Sequence, residues 1–325
     1  MCNNSSSYDA DKRIQYASAV CTIVSSLLSI CGAFIIFWSY WQISSIRNFP
    51  RKLLTCLTVA DFMIASGNLV GATELLFGYT NGTVGVSKPD TGVCKAQSFI
   101  TTFAAMASFF WTLVITAHMM VAIQFQSNRT RSAVLNVLYH VLCWGTPGII
   151  TVIADASNVL GRNKKTSTAG AVTWCWINTN DTKWMLITGK GWEILCYILS
   201  LSILVLLKLK LYLSRRRLKE FQQDFRDEDT HFLYIWLVLW LFRVWGTIRF
   251  ILILICGDTN NKPLIILQSI GDSAQAFGNC VLFCFLDKDV AKYIKKKCLP
   301  CKFSGEEDRL IASTTVSANS EIETF

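Results

Sequence analysis

Eight ionisable side chains, Asp61, Glu74, His118, Lys190, Glu193, Arg243, Arg249 and Asp272, stand inside long apolar stretches of this 325-residue chain. A charge placed in hydrocarbon is costly, so such residues face one another or a water-filled space and mark functional sites by default. Lys190 and Glu193 are three apart, which on a helix sets them on one face about one turn from each other. At a rise of 1.5 Å per residue they lie roughly 10 Å below the outer end of their segment. Arg249 and Asp272 reach a similar depth in the two segments that follow. Charges of balanced sign at one level predict a polar cavity open to the outside, with Lys190, Glu193, Arg249 and Asp272 as ligand contacts. Trp174 and Trp176 in the preceding loop would cap it. A basic pocket beside a carboxylate suits a small zwitterion or an anion. The competing reading is an ion-pair network that only fixes helix packing. Arg243 lies deeper, near the midplane, within reach of either level.

A second polar group gathers nearer the inner side: Asp61 in the run Leu57-Thr58-Val59-Ala60-Asp61-Phe62, then Ser108, Gln275 and Asn279. Carboxylate, hydroxyl and amide oxygens suit a hard cation such as Na⁺ with waters. A plain hydrated hydrogen-bond network stands beside that reading, and either supplies the rearrangeable polar centre of a two-state switch. Enzymatic chemistry has little to work with. His118, His140 and His231 fall on different segments with no i, i+4 pairing, so the helical zinc motif is missing. No nucleophile elbow or Gly-rich phosphate loop stands in a suitable context. Neither a metal nor another cofactor is expected.

The elements that must position these groups are seven apolar segments of about the ~20 residues a helix needs to cross a bilayer. They run over 15–43, 53–79, 91–124, 135–156, 183–212, 231–256 and 263–286. Hydrocarbon offers the backbone no water, so each segment must be helical. The expected fold is an all-α membrane protein, a seven-transmembrane helix bundle. Composition agrees: 52% of residues are hydrophobic and 16% charged, against about 25% charged in soluble domains. Lys and Arg are retained on the cytoplasmic side. With the N-terminus outside, 19 of the 31 Lys and Arg fall on that side, 9 outside and 3 within the membrane. The predicted layout is an extracellular N-terminus over 1–14 and a seven-transmembrane bundle over 15–286. A basic amphipathic helix follows over 287–303, then a disordered cytoplasmic tail over 304–325. The net charge of +9 describes an inner face for anionic lipid or an acidic partner, not for nucleic acid.

Of 13 cysteines most lie inside the segments, where Cys behaves as a small hydrophobe. Cys94 and Cys175 face the oxidising side and are expected to pair. Cys298 and Cys301, just beyond the basic amphipathic stretch, are candidate palmitoylation sites. Asn3, Asn4, Asn81 and Asn180 are candidate glycosylation sites on the outer side. The tail holds Ser313, Thr314, Thr315, Ser317, Ser320 and Thr324 among acidic residues and reads as phosphorylatable.

The seven-helix plan, the Cys94/Cys175 pair and the Leu57-Thr58-Val59-Ala60-Asp61 run resemble the G-protein-coupled receptors. Further runs sharpen this towards the cyclic-AMP receptor-like group: Phe109-Phe110-Trp111-Thr112, Trp144-Gly145-Thr146-Pro147, Trp174-Cys175-Trp176-Ile177, Trp192-Glu193 and Arg243-Val244-Trp245-Gly246-Thr247-Ile248-Arg249-Phe250. The resemblance spans about residues 34–285. It implies a multi-pass plasma-membrane receptor that senses an extracellular ligand, a phosphate-bearing one by analogy, and activates a heterotrimeric G protein. Receptor kinases and arrestin would act at the tail. Arg215, Arg216 and Arg217, at the end of the fifth segment, are the candidate G-protein contacts. The rhodopsin-type Asp-Arg-Tyr triplet is replaced by His118-Met119-Met120, and Asn-Pro-x-x-Tyr is reduced to Asn279-Cys280-Val281-Leu282-Phe283, so the rhodopsin activation scheme does not carry over. Two other classes remain open from sequence: a seven-helix transporter using the same charges as a coupling relay, and a membrane-embedded metal hydrolase.

Overall fold

The computed structural model describes residues 3–80, 92–125, 133–161, 175–177, 182–213, 234–256 and 261–298. Helix α1 spans Asn3–Gln42, α2 Phe49–Thr80 and α3 Gly92–Phe125. Helix α4 covers 133–156 and α5 covers 182–213, followed by α6 over Ile235–Cys256. Helix α7 covers 262–285, and α8 is Lys288–Cys298. Six of these are long and apolar enough to cross a bilayer. α1 starts at Asn3 rather than near Gln15, because nothing in the polar leader breaks a helix that the apolar stretch has already nucleated.

Surface and core divide as lipid requires. Val24, Phe34, Ile149, Ile198 and Ile255 point outward, exposed, where hydrocarbon tails take the place of water. Inside, α1 contributes Ser18, Thr22, Ser25, Ser26 and Ser29, all buried. Small residues let helices approach closely in a membrane, and the hydroxyls mostly return to their own helix, as Thr22 Oγ1 does to the Ser18 carbonyl at 2.9 Å. α1 packs on α2 and on both parts of α7, while α3 lies centrally against α2, α4, α5 and α6.

Helix α7 is not the uninterrupted span that its hydropathy predicts. It runs over Lys262–Gly271, turns through Asp272, Ser273 and Ala274, and resumes over Gln275–Cys280. The interruption is tolerable because neighbouring groups take up the freed backbone and side-chain atoms. The Ser273 and Ala274 amides donate to the carbonyls of Ile270 and Gly271 at 3.3 and 3.2 Å. Asn68 of α2 donates to Ser273 Oγ at 2.9 Å. Gly271 is needed here, since a Cβ on it would stand 1.8 Å from the Phe242 carbonyl oxygen of α6. Among the described residues there are three π-helical turns, Val141–Gly145 in α4, Leu186–Lys190 in α5 and Val281–Phe285 in α7. Such widened turns recur at functional sites.

On the outer face a disulfide joins Cys94, in the first turn of α3, to Cys175. Strand β1, Leu160–Gly161, pairs antiparallel with β2, Trp176–Ile177. Gln97 Oε1 accepts the Cys175 amide at 2.8 Å, and the Ser98 hydroxyl donates to the Trp176 carbonyl. The loop is thereby seated on α3 by covalent and polar ties.

At the inner end Arg51 of α2 and Asp287 form a buried ion pair at 2.5 Å. Arg51 Nη1 also donates to the Phe283 carbonyl at 2.7 Å. The second Asp287 oxygen accepts the amides of Asp289 and Val290 at 3.0 Å each, an N-cap for α8. One carboxylate thus starts the amphipathic helix and ties it to α2. Val290 turns into the core with Tyr293 and Ile294 packed beside it, while Lys288, Lys292, Lys295, Lys296 and Lys297 face outward.

Removing one member of a buried pair commonly costs ~3–5 kcal/mol. Arg51→Met is therefore expected to lower the melting temperature of the purified protein sharply, and Arg51→Met with Asp287→Asn should restore most of it, because Asn still caps α8. A double variant as unstable as Arg51→Met would show that the charge pair does not hold α8 in place.

Candidate functional site

The π turn Leu186–Lys190 widens α5 immediately before Gly191, and it carries Lys190 to the bundle interior. The Trp192 indole donates to the Ile187 carbonyl at 2.8 Å, answering a backbone oxygen of the widened turn. Lys190 Nζ then donates to Glu193 Oε2 at 2.9 Å. Glu193 Oε1 accepts from the Tyr197 hydroxyl at 2.8 Å and from the Thr247 hydroxyl of α6. Glu193 is 1% exposed and Lys190 6%, so the pair is all but desolvated. Gly246 makes the room for it: a Cβ there would stand 3.0 Å from Lys190 Nζ and 3.2 Å from Gln268 Nε2.

Arg249 and Asp272 are joined through a residue that the charge pattern did not single out. Arg249 Nη1 donates to Gln268 Oε1 at 3.0 Å, and Gln268 Nε2 donates to Asp272 Oδ2 at 3.0 Å. The amide acts as a polar bridge between cation and anion. Lys190, Arg243 and Glu193 lie within electrostatic reach of Asp272. Lys190, Glu193, Arg249 and Asp272 therefore share one buried polar region spanning α5, α6 and α7.

The inner group closes on itself. Ser108 Oγ donates to Asp61 Oδ1 at 2.7 Å, and Asn279 Nδ2 to Asp61 Oδ2 at 2.9 Å. Gln275 Nε2 donates to Ser108 Oγ at 3.0 Å. Arg243 lies between the two levels, its Nε donating to Gln275 Oε1 at 3.1 Å while its guanidinium lies over the Phe109 ring, 5.0 Å from the centroid. A sodium ion at Asp61 would compete with donors already in place.

Trp176 stands over the π turn, its ring 3.2 Å from where a Cβ of Gly189 would be. His118 packs on Phe49, with its Nδ1 3.4 Å from the Tyr139 hydroxyl, among core residues. Trp174, Asn81, Asn180, Arg215, Arg216, Arg217 and Cys301 lie outside the described residues, as do the side chains of Asn3, Asn4 and Cys298. Among the described residues no group of three or more His, Cys, Asp or Glu is arranged to hold a metal ion. Sequence reasoning missed Gln268, Thr247 and Tyr197. Two of them carried a signal, a polar side chain in an apolar helix four residues from a charge, as in Gln268/Asp272 and Glu193/Tyr197.

Comparison with known proteins matches residues 12–277 to the family described as 7 transmembrane receptor (Secretin family). The chain is 29% identical over 291 residues to G-protein coupled receptor 157 of Homo sapiens, covering 85% of this chain and 82% of the relative. It is 21% identical over 232 residues to Cyclic AMP receptor 1 of Dictyostelium discoideum, 70% of this chain and 54% of the relative. It is 24% identical over 208 residues to Vasoactive intestinal polypeptide receptor 1 of Homo sapiens, 63% of this chain and 41% of the relative.

Lys190→Met leaves Glu193 without its ammonium partner in a dry site, an expected cost of ~3–5 kcal/mol. Lys190→Met with Glu193→Gln should recover much of the loss in a thermal unfolding measurement, since Tyr197 and Thr247 can still bond the amide. Equal instability of the single and double variants would show that the ion pair is not what Glu193 needs.

Proposed function

As the chain belongs to the secretin family of seven-transmembrane receptors, we propose that its buried outer charges bind the extracellular ligand and its inner polar group transmits that binding. It is a multi-pass plasma-membrane receptor coupled to a heterotrimeric G protein, and this membership lends no support to the transporter reading. The observation that carries the finer assignment is the place of Arg243, which heads the bonded chain through Gln275 and Ser108 to Asp61 and lies within electrostatic reach of Asp272. A ligand shifts a receptor only by its differential affinity for two states. An arginine bonded to the inner level and within electrostatic reach of the outer one supplies two states to choose between, Arg243 held by Gln275 or drawn outward.

In this reading Lys190, Glu193, Arg249 and Asp272 contact the ligand under Trp174 and Trp176. Asp61, Ser108, Gln275 and Asn279 form the switch, with Na⁺ as one occupant of its resting state. Arg215, Arg216 and Arg217 meet the G protein. Receptor kinases and arrestin act on the tail, α8 rests on anionic lipid through its lysines with acyl chains at Cys298 and Cys301, and glycans sit at Asn3, Asn4, Asn81 and Asn180.

The test begins with a screen of G-protein subtypes and a ligand library in cells bearing an N-terminal epitope. With the agonist found there, Lys190→Arg, Arg249→Lys and Asp272→Glu should each reach the surface yet lose at least ~10-fold in potency, because geometry and not charge alone is read. Normal potency in all three would exclude the outer site. Replacing Arg215, Arg216 and Arg217 together by Gln should reduce nucleotide exchange on the G protein at unchanged surface level and orientation. Undiminished exchange would remove the coupling role of that segment.

A further inference from the structure

Among the described residues Arg243 Nη2 and Asp272 Oδ1 are buried charged atoms with no hydrogen-bond partner. Both side chains are more than nine-tenths buried, 5% and 8% exposed. Buried polar atoms in native proteins are nearly always bonded, and leaving a charged one unmet is more costly than leaving a neutral one. Their neighbours are otherwise committed. Lys190 is engaged by Glu193, Glu193 by three donors, and Gln268 by Arg249 on one side and Asp272 on the other.

Arg243 Nη2 and Asp272 Oδ1 are a donor and an acceptor of opposite charge on adjacent helices. A guanidinium nitrogen can only donate, and an ionised carboxylate oxygen can only accept. A lone anion would answer Arg243 and set its charge against Asp272. A lone cation would answer Asp272 and face Arg243. We infer that the outer site takes a small zwitterion, an ammonium carboxylate whose oxyanion accepts from Arg243 Nη2 and whose ammonium donates to Asp272 Oδ1. This rests on the ligand-site reading above and narrows it, since the same region could serve a simple anion. The Phe109 ring beneath Arg243 and the Lys190–Glu193 pair beside it restrict the guest to a compact one. The guanidinium that seats the carboxylate through Nη2 also holds Gln275 through Nε, so occupancy is felt along the chain to Asp61.

The experiment uses the purified full chain in lipid nanodiscs and follows thermal unfolding with three sets of probes. Glycine, 4-aminobutanoate and 6-aminohexanoate are the zwitterions, their N-acetyl derivatives the anions, and alkylamines of matching length the cations. At least one zwitterion at saturating concentration should raise the melting temperature by ~2–4 °C, with its N-acetyl and amine counterparts silent. Arg243→Lys and Asp272→Asn should each abolish the rise, whereas Lys95→Gln, at the exposed outer end of α3, should keep it. If an anion-only probe gives the same rise and Arg243→Lys removes it, the outer site stands and the zwitterion assignment falls. A rise untouched by both substitutions places binding elsewhere and overturns both readings, and no rise with any zwitterion overturns this one.

Discussion

In hydrocarbon a polar atom can be answered only by its own protein, and nearly every specific feature of this bundle follows from that constraint. The Glu193 carboxylate is met by Lys190, Tyr197 and Thr247, drawn from two helices. Asp61 is met by Ser108 of α3 and Asn279 of α7. These bonds fix which faces of α2, α3, α5, α6 and α7 turn inward, a choice that apolar packing among leucines would leave loosely specified. Because lipid tails are as apolar as the helix surfaces, association here rests on close packing and polar contacts rather than on exclusion of water.

The same constraint explains the irregular helices. A π turn or a broken span frees backbone groups, which must then be bonded locally. Trp192 serves the widened turn of α5, and Asn68 serves the interruption in α7. Both irregularities lie at the level of the outer charges. A straight α5 would present Lys190 at a different angle, and an uninterrupted α7 would carry Asp272 around with its helix. The cost of the irregularity is thus tied to where the charges must stand.

Much of this was legible from residue types. The apolar segments, the Lys190/Glu193 spacing and the Asp61, Ser108, Gln275 and Asn279 group needed only helical periodicity and the cost of charge in a membrane. The spacing of Gln268 and Asp272 hinted at a contact between them, but nothing in it shows that the amide reaches across to Arg249 of α6. Arg51 counted only as a topological marker, since no pattern pairs it with a residue 236 positions away. The break in α7 is invisible to hydropathy, which sees 263–286 as one apolar run. At the start of the break the Phe242 carbonyl of α6 lies so close to Gly271 that a Cβ would stand 1.8 Å from it. The extent of α1 was missed because polarity ends a membrane span but does not end a helix.

The Cys94–Cys175 bridge carries a consequence for biosynthesis. The two thiols are 81 residues apart, and α4 lies between them. At ~5–20 residues per second the ribosome needs ~4–16 s to make that stretch. During that interval Cys94 stands on the lumenal side as an unpaired thiol, open to capture by glutathione or by another nascent chain. The bridge can close only after α4 has crossed the membrane and the loop has emerged on the same side. Oxidation therefore reports that the first four helices have been threaded in the right direction, and a chain inserted with α4 reversed would keep two thiols for the retention machinery of the secretory pathway to recognise.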